Sequence, residues 1–297
     1  MAATIEVKDL CFGCDEGHPV LQDVSFRLDR PELVCIVGPN GVGKSTLVRC
    51  INGLIGTTSG EVFVNGQEVR SYPLKELARV MSYVPVMTSD FNVLTVLDTV
   101  LIGRYSRQRW KTTQEDLDIA HMALDAMEID RLSMRSFNEL SAGQHQEVFL
   151  ARGLVQEAEV VLLDELTANL DVRHQMYVAA FLKELVRQTG VMVVMVSHDL
   201  NLAAKYADRI IVMEPPGRIQ SIGRPEEVIT SDMLAEIYKV RADIIDDDGT
   251  PLVVLKSIIF DDEGGNRSLQ TDRGGGAPSA LPAPYRLPLN AYRHNAG

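Results

Sequence analysis

The sequence predicts an α/β fold organised on a parallel sheet covered on both faces, and three observations predict it. Short apolar runs (Leu33 to Val37, Val160 to Leu163, 191 to 197 and 209 to 213) alternate with segments of helical period. Strands buried on both faces read as continuous apolar stretches, and their alternation with helices marks parallel pairing. The first run leads directly into a glycine-rich loop, Gly38 to Thr46, and then into a helix-like stretch. Residues 4 to 28 differ. There Ile5 and Val7, then Val20, Leu21, Val24, Phe26 and Leu28, give the apolar–polar alternation of antiparallel strands.

The remaining elements follow in chain order. The helix after the glycine-rich loop is expected from about Lys44 to Asn52, ended by Gly53. In TTSGEVFVNGQEV, a strand from Glu61 to Val64, an Asn65-Gly66 turn and a return strand make a hairpin. Residues 74 to 80 read as helix and Met81 to Pro85 as a short strand. From about 92 to 155, apolar residues recur at three- and four-residue spacing, as at Val96, Val100 and Leu101, then Ala120, Ala123, Leu124 and Met127. That period is helical, and its methionines read as core filler rather than metal ligands. An amphipathic helix over 172 to 188 separates two buried strands, and 200 to 206 is helical. PEEVITSDMLAEIY supplies short helices and LVVLKSIIF a last strand or two. Beyond about Asp261 the composition shifts to Gly, Pro, Asn and Ser. Such a segment cannot bury enough apolar surface to offset its ordering entropy, so 259–297 is expected to be a disordered tail.

Composition excludes several classes of function. The 297 residues are 45% hydrophobic and 24% charged, ordinary for a globular chain with a real core. A formal net charge of −12 argues against non-specific nucleic-acid binding, which needs a basic surface. No run of about 18 apolar residues occurs, and the start, MAATIEVKDL, lacks the regions of a signal peptide. All four cysteines (Cys11, Cys14, Cys35, Cys50) fall in the first fifty residues. A reduced, cytosolic setting is expected. Cys11 and Cys14 form a C-x-x-C pair, but no second pair follows for zinc and no thioredoxin-like context for redox work. Buried, inert thiols are the reading that context favours.

The chemistry starts at GPNGVGKST: Gly38, Pro39, Asn40, Gly41, Val42, Gly43, Lys44, Ser45 and Thr46. It matches G-x-x-x-x-G-K-[ST], the phosphate-binding P-loop, between a strand and a helix as that loop requires. The glycines let the backbone approach an anion, and successive N–H groups together with the helix N-terminus supply positive potential. Lys44 can reach the β- and γ-phosphates, and the Ser45 hydroxyl can join a Mg²⁺ shell. A plain connecting turn is the bland alternative, which the full match in this context disfavours. In LSAGQ, Ser141 followed by Gln144 is a capping-box pattern, so a helix starts there; with Ala142 and Gly143 it offers a second anion site. VVLLDE puts Asp164 and Glu165 at the carboxyl end of a buried strand, where ligands bind in open parallel sheets. Asp164 can hold Mg²⁺, and Glu165 can orient or deprotonate a water. TANLD places Asp171 just beyond, and VSH puts His198 at the end of the next buried strand.

These stretches together resemble the ATPase subunit of an ABC transporter, over roughly residues 3 to 255. The match is carried by a Walker A loop (GPNGVGKST), a signature (LSAGQ), a Walker B strand (VVLLDE), a D-loop (TANLD) and a switch histidine, His198. The resemblance implies a P-loop core, an antiparallel β subdomain and a helical subdomain at about 88–155, within an ATP-binding domain of 3–258. It implies a head-to-tail homodimer in which ATP on one Walker A is capped by Ser141 and Gly143 of the other copy. It also implies catalytic roles for Lys44, Glu165 and His198, a link between sites through Asp171, and Mg²⁺ on Ser45 and Asp164. The stretches at 94–107, 170–175, 197–213 and 223–238 are similar to the ATPases of iron-siderophore, haem and cobalamin importers. The resemblance then implies a place on the cytoplasmic face of a membrane and a permease whose coupling helix docks near Val86–Arg107. A substrate-binding protein would act indirectly, and no nucleic acid is involved.

Three departures bear on activity. Val86 stands where the family has a glutamine, and Cys14 falls near the place of the aromatic residue that stacks on adenine. Phe12 is the nearby substitute. Leu166 and Ala142 replace a proline and a glycine. A module that binds nucleotide with weak hydrolysis is the competing expectation, as is the ATPase of a transporter for another substrate. ATPases of DNA repair or translation would need a long coiled-coil insertion or two motif sets, and the sequence has neither.

Overall fold

A computed structural model describes residues 3–13, 19–85, 94–107, 111–166 and 170–260. Strands β1 (Ile5–Gly13), β2 (Pro19–Leu28) and β3 (Leu33–Val37) lead into helix α1 (Lys44–Ile51), followed by β4 (Ser59–Val64) and β5 (Gln67–Glu68). Next come α2 (Leu74–Val80), β6 (Met81–Val84), α3 (Val96–Leu101), α4 (Gln114–Ala126), α5 (Ala142–Leu154), β7 (Val160–Leu163) and α6 (Val172–Thr189). The chain continues through β8 (Met192–Val196), α7 (Leu200–Tyr206), β9 (Arg209–Glu214), β10 (Arg218–Gly223), α8 (Pro225–Val228) and α9 (Ser231–Ile237). It ends in a hairpin of β11 (Val240–Asp247) and β12 (Thr250–Ile258).

Two sheets divide the fold as the apolar patterns require. β3, β8, β7, β6 and β9 pair in parallel, with β10 antiparallel at one edge, in the order β10-β9-β3-β8-β7-β6. Every residue of β3, β7 and β8 is buried, the cost of which only continuous apolar runs avoid. The alternating N-terminal segment forms the antiparallel sheet β2-β1-β4-β5. Its β4–β5 turn holds Asn65 at φ 51° and Gly66 at φ 77°, the positive angles of a two-residue hairpin.

The helical stretch is more broken than its period suggests. α3 is short and passes into a 3-10 turn over Ile102–Ser106. Capping boxes at Thr95, Thr113 and Ser141 start α3, α4 and α5, each satisfying backbone N–H groups that a helix end leaves without partners. α5 buries Val148, Phe149, Leu150 and Ala151 in the core shared with α3, α4 and β7. Val148, Phe149 and Leu150 each contribute roughly 1.5–3 kcal/mol when fully buried, and the Ala151 methyl roughly 0.8 kcal/mol. β10 and β11 were not evident in the sequence. β10 lies at a sheet edge with no residue fully buried, and β11 buries only Ala242, so neither carries a clear apolar period. Val86, Cys14, residues 167–169 and the tail from 261 lie outside the described residues.

Candidate functional site

β3 lies between β8 and β9, so its carboxyl end opens at the middle of the sheet. The loop that follows is shaped by two close approaches. A Cβ on Gly38 would lie 2.5 Å from the Met213 carbonyl oxygen, and one on Gly43 would lie 2.7 Å from that of Val20. Gly43, at φ 98°, is also the N-cap of α1. Any other side chain at either position would push the loop off the sheet. Asn40, Gly41, Gly43, Lys44, Ser45 and Thr46 line a cavity of about 320 Å³, with Glu165 and His198 across it and Val20 at its side. Val42 is turned away and buried in the core under the antiparallel sheet. Lys44 is itself buried, and its Nζ donates to the carbonyls of Gly38 (2.8 Å) and Pro39 (2.9 Å). Burial lowers the Lys44 pKa, while Glu165 and Asp164 hold the ammonium charged.

Backbone pairing brings the acidic residues to this cavity. The Asp164 N–H donates to the Val84 carbonyl (2.9 Å), and that of Ser197 to Ile36 (3.1 Å), which sets the ends of β7 and β8 beside the loop. Asp164 has no exposed surface. A buried carboxylate survives only with partners. Ser45 Oγ donates to its Oδ1 (2.6 Å), Tyr83 OH donates to its Oδ2 (3.1 Å), and Arg49 Nη2 stands 3.8 Å from Oδ2. Arg49 Nε donates in turn to Tyr83 OH (3.3 Å). Burial raises the Tyr83 pKa, keeping the phenol a donor. Glu165 has φ 49°, a left-handed backbone that a non-glycine residue adopts only under constraint. Its Oε1 lies 2.6 Å from His198 Nε2. A carboxylate and an imidazole thus stand side by side on the wall of the cavity opposite the loop.

The second group of residues stands apart from this cavity. Ser141 is exposed and N-caps α5: its Oγ accepts from the Gln144 N–H (3.3 Å), and Gln144 Oε1 accepts from the Ser141 N–H (3.0 Å). Ala142 is exposed beside it, and Gly143 and Gln144 are half-buried. Asp171 N-caps α6, accepting from the His174 N–H at 2.9 Å. His174 Nδ1 is also 2.9 Å from Asp171 Oδ1, and its Nε2 stands 3.7 Å from Glu147 on α5. The structure therefore connects the start of α6 to the helix that Ser141 opens.

Sequence reasoning missed Tyr83, Arg49, Val20 and His174. Arg49 lies five positions after Lys44 on α1 and Tyr83 near the carboxyl end of β6, a placement that could have flagged them. Phe12 pairs with Leu21 and packs on the antiparallel-sheet core, and the cavity's neighbour on that side is Val20. A hard divalent cation fits the Ser45–Asp164 pair, one hydroxyl and one carboxylate oxygen beside a phosphate cradle. Mg²⁺ takes one or two protein oxygens together with phosphate and water. Among the described residues, no cluster of three or more His, Cys, Asp or Glu could hold a metal ion. None of the helices described is long and apolar enough to cross a membrane.

Comparison with known proteins places this geometry. The ABC transporter family model matches residues 21–168. The ferric enterobactin transport ATP-binding protein of Escherichia coli strain K12 is 36% identical over 243 residues, 80% of this chain and 89% of that protein. The cobalamin import ATP-binding protein of Halobacterium salinarum is 35% identical over 271 residues, 91% of this chain and 68% of that one. Among solved structures, the dimeric bacterial ABC transporter cassette MJ0796 aligns with a TM-score of 0.68 and 28% identity, covering 74% of this chain and 98% of that one.

Proposed function

The chain belongs to the ABC transporter family, and from that premise we propose that it is the ATP-hydrolysing subunit of an importer for metal chelates of the siderophore, haem or cobalamin kind. The observation that carries this reading is the Glu165–His198 pair facing Lys44 and the P-loop across one cavity. Lys44 and the loop amides grip the β- and γ-phosphates of ATP, and Ser45 with Asp164 would hold Mg²⁺, which neutralises charge on those phosphates. Glu165 orients a water and takes its proton as the water oxygen bonds to the γ-phosphorus. The bond from that phosphorus to the β–γ bridging oxygen breaks, and ADP leaves with the electron pair. His198 orients Glu165 and donates toward the γ-phosphate. Removing Glu165's acceptor oxygen halts this step without touching the phosphate grip.

Two copies pair head to tail, each presenting Ser141 and Gly143 to the other's triphosphate; the similar MJ0796 cassette is a dimer. The exposure of Ser141 and its place at a helix start support this arrangement. Phe12 contributes to the adenine side from behind Val20, and Asp171 links the two nucleotide sites. ATP-driven closure pushes on a permease at the cytoplasmic face of a membrane, with a substrate-binding protein upstream. An apolar recess of about 450 Å³ supports the permease contact: Leu74, Ile102 and Tyr105 stand exposed around it, beside Arg152 and Gly153. Of its lining, Ile102, Gly103, Tyr105 and Ser106 belong to the stretch expected to receive a coupling helix. Glu165→Gln is the test. The variant is expected to retain ATP and to elute as a dimer with ATP and Mg²⁺, with phosphate release reduced by about 100-fold or more. Turnover at the unchanged rate would overturn the assignment.

A further inference from the structure

His198 stands in a three-residue link, Ser197 to Asp199, between β8 and α7. Both ends of the link are pinned. The Ser197 N–H donates to the Ile36 carbonyl of β3 (3.1 Å), and Asp199 caps α7 by accepting from the N–H groups of Asn201 and Leu202, both at 2.9 Å. The imidazole therefore points where α7 lets it, and α7 has only seven residues. So short a helix takes its orientation from what packs on it. Leu202, Ala203 and Ala204 are buried on one side. On the side toward the C-terminal hairpin, Asn201 clamps β12: its Oδ1 accepts from the Val253 N–H (2.7 Å), and its Nδ2 donates to the Val253 carbonyl (3.3 Å).

Few side chains can make this clamp. β12 has β11 on one edge, and Asn201 takes the other edge at Val253. A primary amide offers a donor and an acceptor side by side, as a neighbouring strand would; an ionised carboxylate has no donor for the carbonyl. The clamp also ends on a firm anchor. Val253 and Ala242 share the core with Met233, Leu234 and Ile237 of α9, and Ser231 Oγ donates to the Ala242 carbonyl (2.9 Å). Directly after α9, the Tyr238 phenol oxygen accepts from the Gly38 N–H, and the Gly38 carbonyl accepts from Lys44 Nζ (2.8 Å). One C-terminal unit thus holds both the start of the phosphate loop and the helix that follows His198. Its Val253 and Leu255 line a cavity of about 560 Å³ together with Glu165, His198 and Asn201.

We propose that Asn201 is a positioning residue for ATP hydrolysis: by fixing α7 to Val253 it sets the His198 imidazole against Glu165, which makes the hairpin part of the catalytic frame. This rests on the roles given above to Glu165 and His198. Their contact is short and only partly enclosed. His198 Nε2 stands 2.6 Å from Glu165 Oε1, while the two side chains are 38% and 28% exposed, so packing alone does not wedge them together. A swing of α7 by about 1 Å takes the pair out of hydrogen-bond range. Asn201 acts through the link and takes no part in bond making. Its loss slows the chemical step and leaves the grip of Lys44 and the loop amides on ATP as it was.

The experiment uses the purified full chain with ATP and Mg²⁺ and reads two quantities. Phosphate release gives kcat and KM, and the Cε1–H resonance of His198, identified by its loss in His198→Ala, reports the surroundings of the imidazole. Asn201→Ala removes the clamp; Asn201→Asp keeps its size and acceptor without the donor. In both, kcat is expected to fall about tenfold, on the scale of a lost hydrogen bond. KM for ATP should stay within about twofold, and the His198 resonance should move. Lys205→Ala, in the last turn of the same helix, should leave rate and resonance alone. An unchanged kcat in both Asn201 variants overturns the inference. So does a slower rate with the His198 resonance in place, because Asn201 would then serve the fold without acting through His198. If His198→Ala hydrolyses at the parent rate, the role given to His198 fails, and the inference falls with it on a separate measurement.

Discussion

Asp164 and Ser141 are both polar groups that the family resemblance assigns to nucleotide sites, Asp164 to its own chain's and Ser141 to that of a second copy, yet the chain treats them in opposite ways. Asp164 is wholly buried, and Ser45, Tyr83 and Arg49 surround its two oxygens. Ser141 is exposed at a helix tip, and its hydroxyl accepts from the Gln144 N–H of its own capping box. A carboxylate without solvent must be satisfied within the fold, whereas a hydroxyl at a wet helix end is stable with nothing further to bind. In the proposed dimer, one half of the site is completed by folding and the other half is left for association.

The largest test of that contrast removes the grip. Lys44→Ala deletes a buried ammonium that lines the cavity, and ATP binding is expected to weaken by about 100-fold or more by calorimetric titration. Unchanged affinity would show that the loop backbone alone holds the nucleotide. Ser141→Ala should separate the halves. Loss of the cap costs about 1 kcal/mol of local helix stability. Steady-state hydrolysis is expected to fall about tenfold or more, because the proposed head-to-tail dimer loses a donor to the partner's triphosphate. ATP affinity measured on the isolated chain should move less than about twofold. Equal losses in both measurements would mean that Ser141 serves its own subunit's site.

A smaller effect is expected at Tyr83. Tyr83→Phe takes the donor from Asp164 Oδ2 and leaves Arg49 as the remaining partner of that oxygen, 3.8 Å away. Urea denaturation should report a loss of about 1–2 kcal/mol. The Mg²⁺ concentration for half-maximal hydrolysis should rise several-fold, because the carboxylate loses a fixed orientation. A Mg²⁺ titration superposable on the wild-type curve would assign Tyr83 to stability alone.

What could be read from the sequence follows the same division. The P-loop, the β7 carboxylates and the capping box at Ser141 are local patterns, and local patterns survive in one dimension. The Tyr83–Asp164 and Ser45–Asp164 contacts join residues 81 and 119 positions apart, so they exist only once β6, β7 and α1 are placed. The Asn201 clamp on β12 spans 52 positions and could not be read for the same reason. The strand order explains why Val20, not Phe12, borders the cavity: Gly43 packs against the Val20 carbonyl, whereas Phe12 packs on the core of the antiparallel sheet. β11 escaped notice because a strand exposed on most positions carries no apolar period to read.

The smallest effect is expected in the frame around the buried half of the site. Cys35 sits in β3 and Cys50 in α1, the strand and helix that flank the P-loop. Burial pushes the Cys35 thiol up to about 12 and the Cys50 thiol up to about 11. The thiolate is the nucleophile, so at pH 8 only about one Cys50 in a thousand is reactive, and fewer of Cys35. Peptide mapping after iodoacetamide treatment should therefore find both unmodified until denaturant is added, while half-exposed Cys11 is alkylated first. The linkage has a definite sign. Unfolded thiols ionise near 9.0 and these two at about 11 and 12, so their contribution to stability is fully present below pH 9 and fades as pH rises through 11 and 12. Alkylation of Cys35 and Cys50 at the rate of Cys11 under native conditions would mean that the frame opens readily, and the contrast between a closed floor and an open tip would lose its basis.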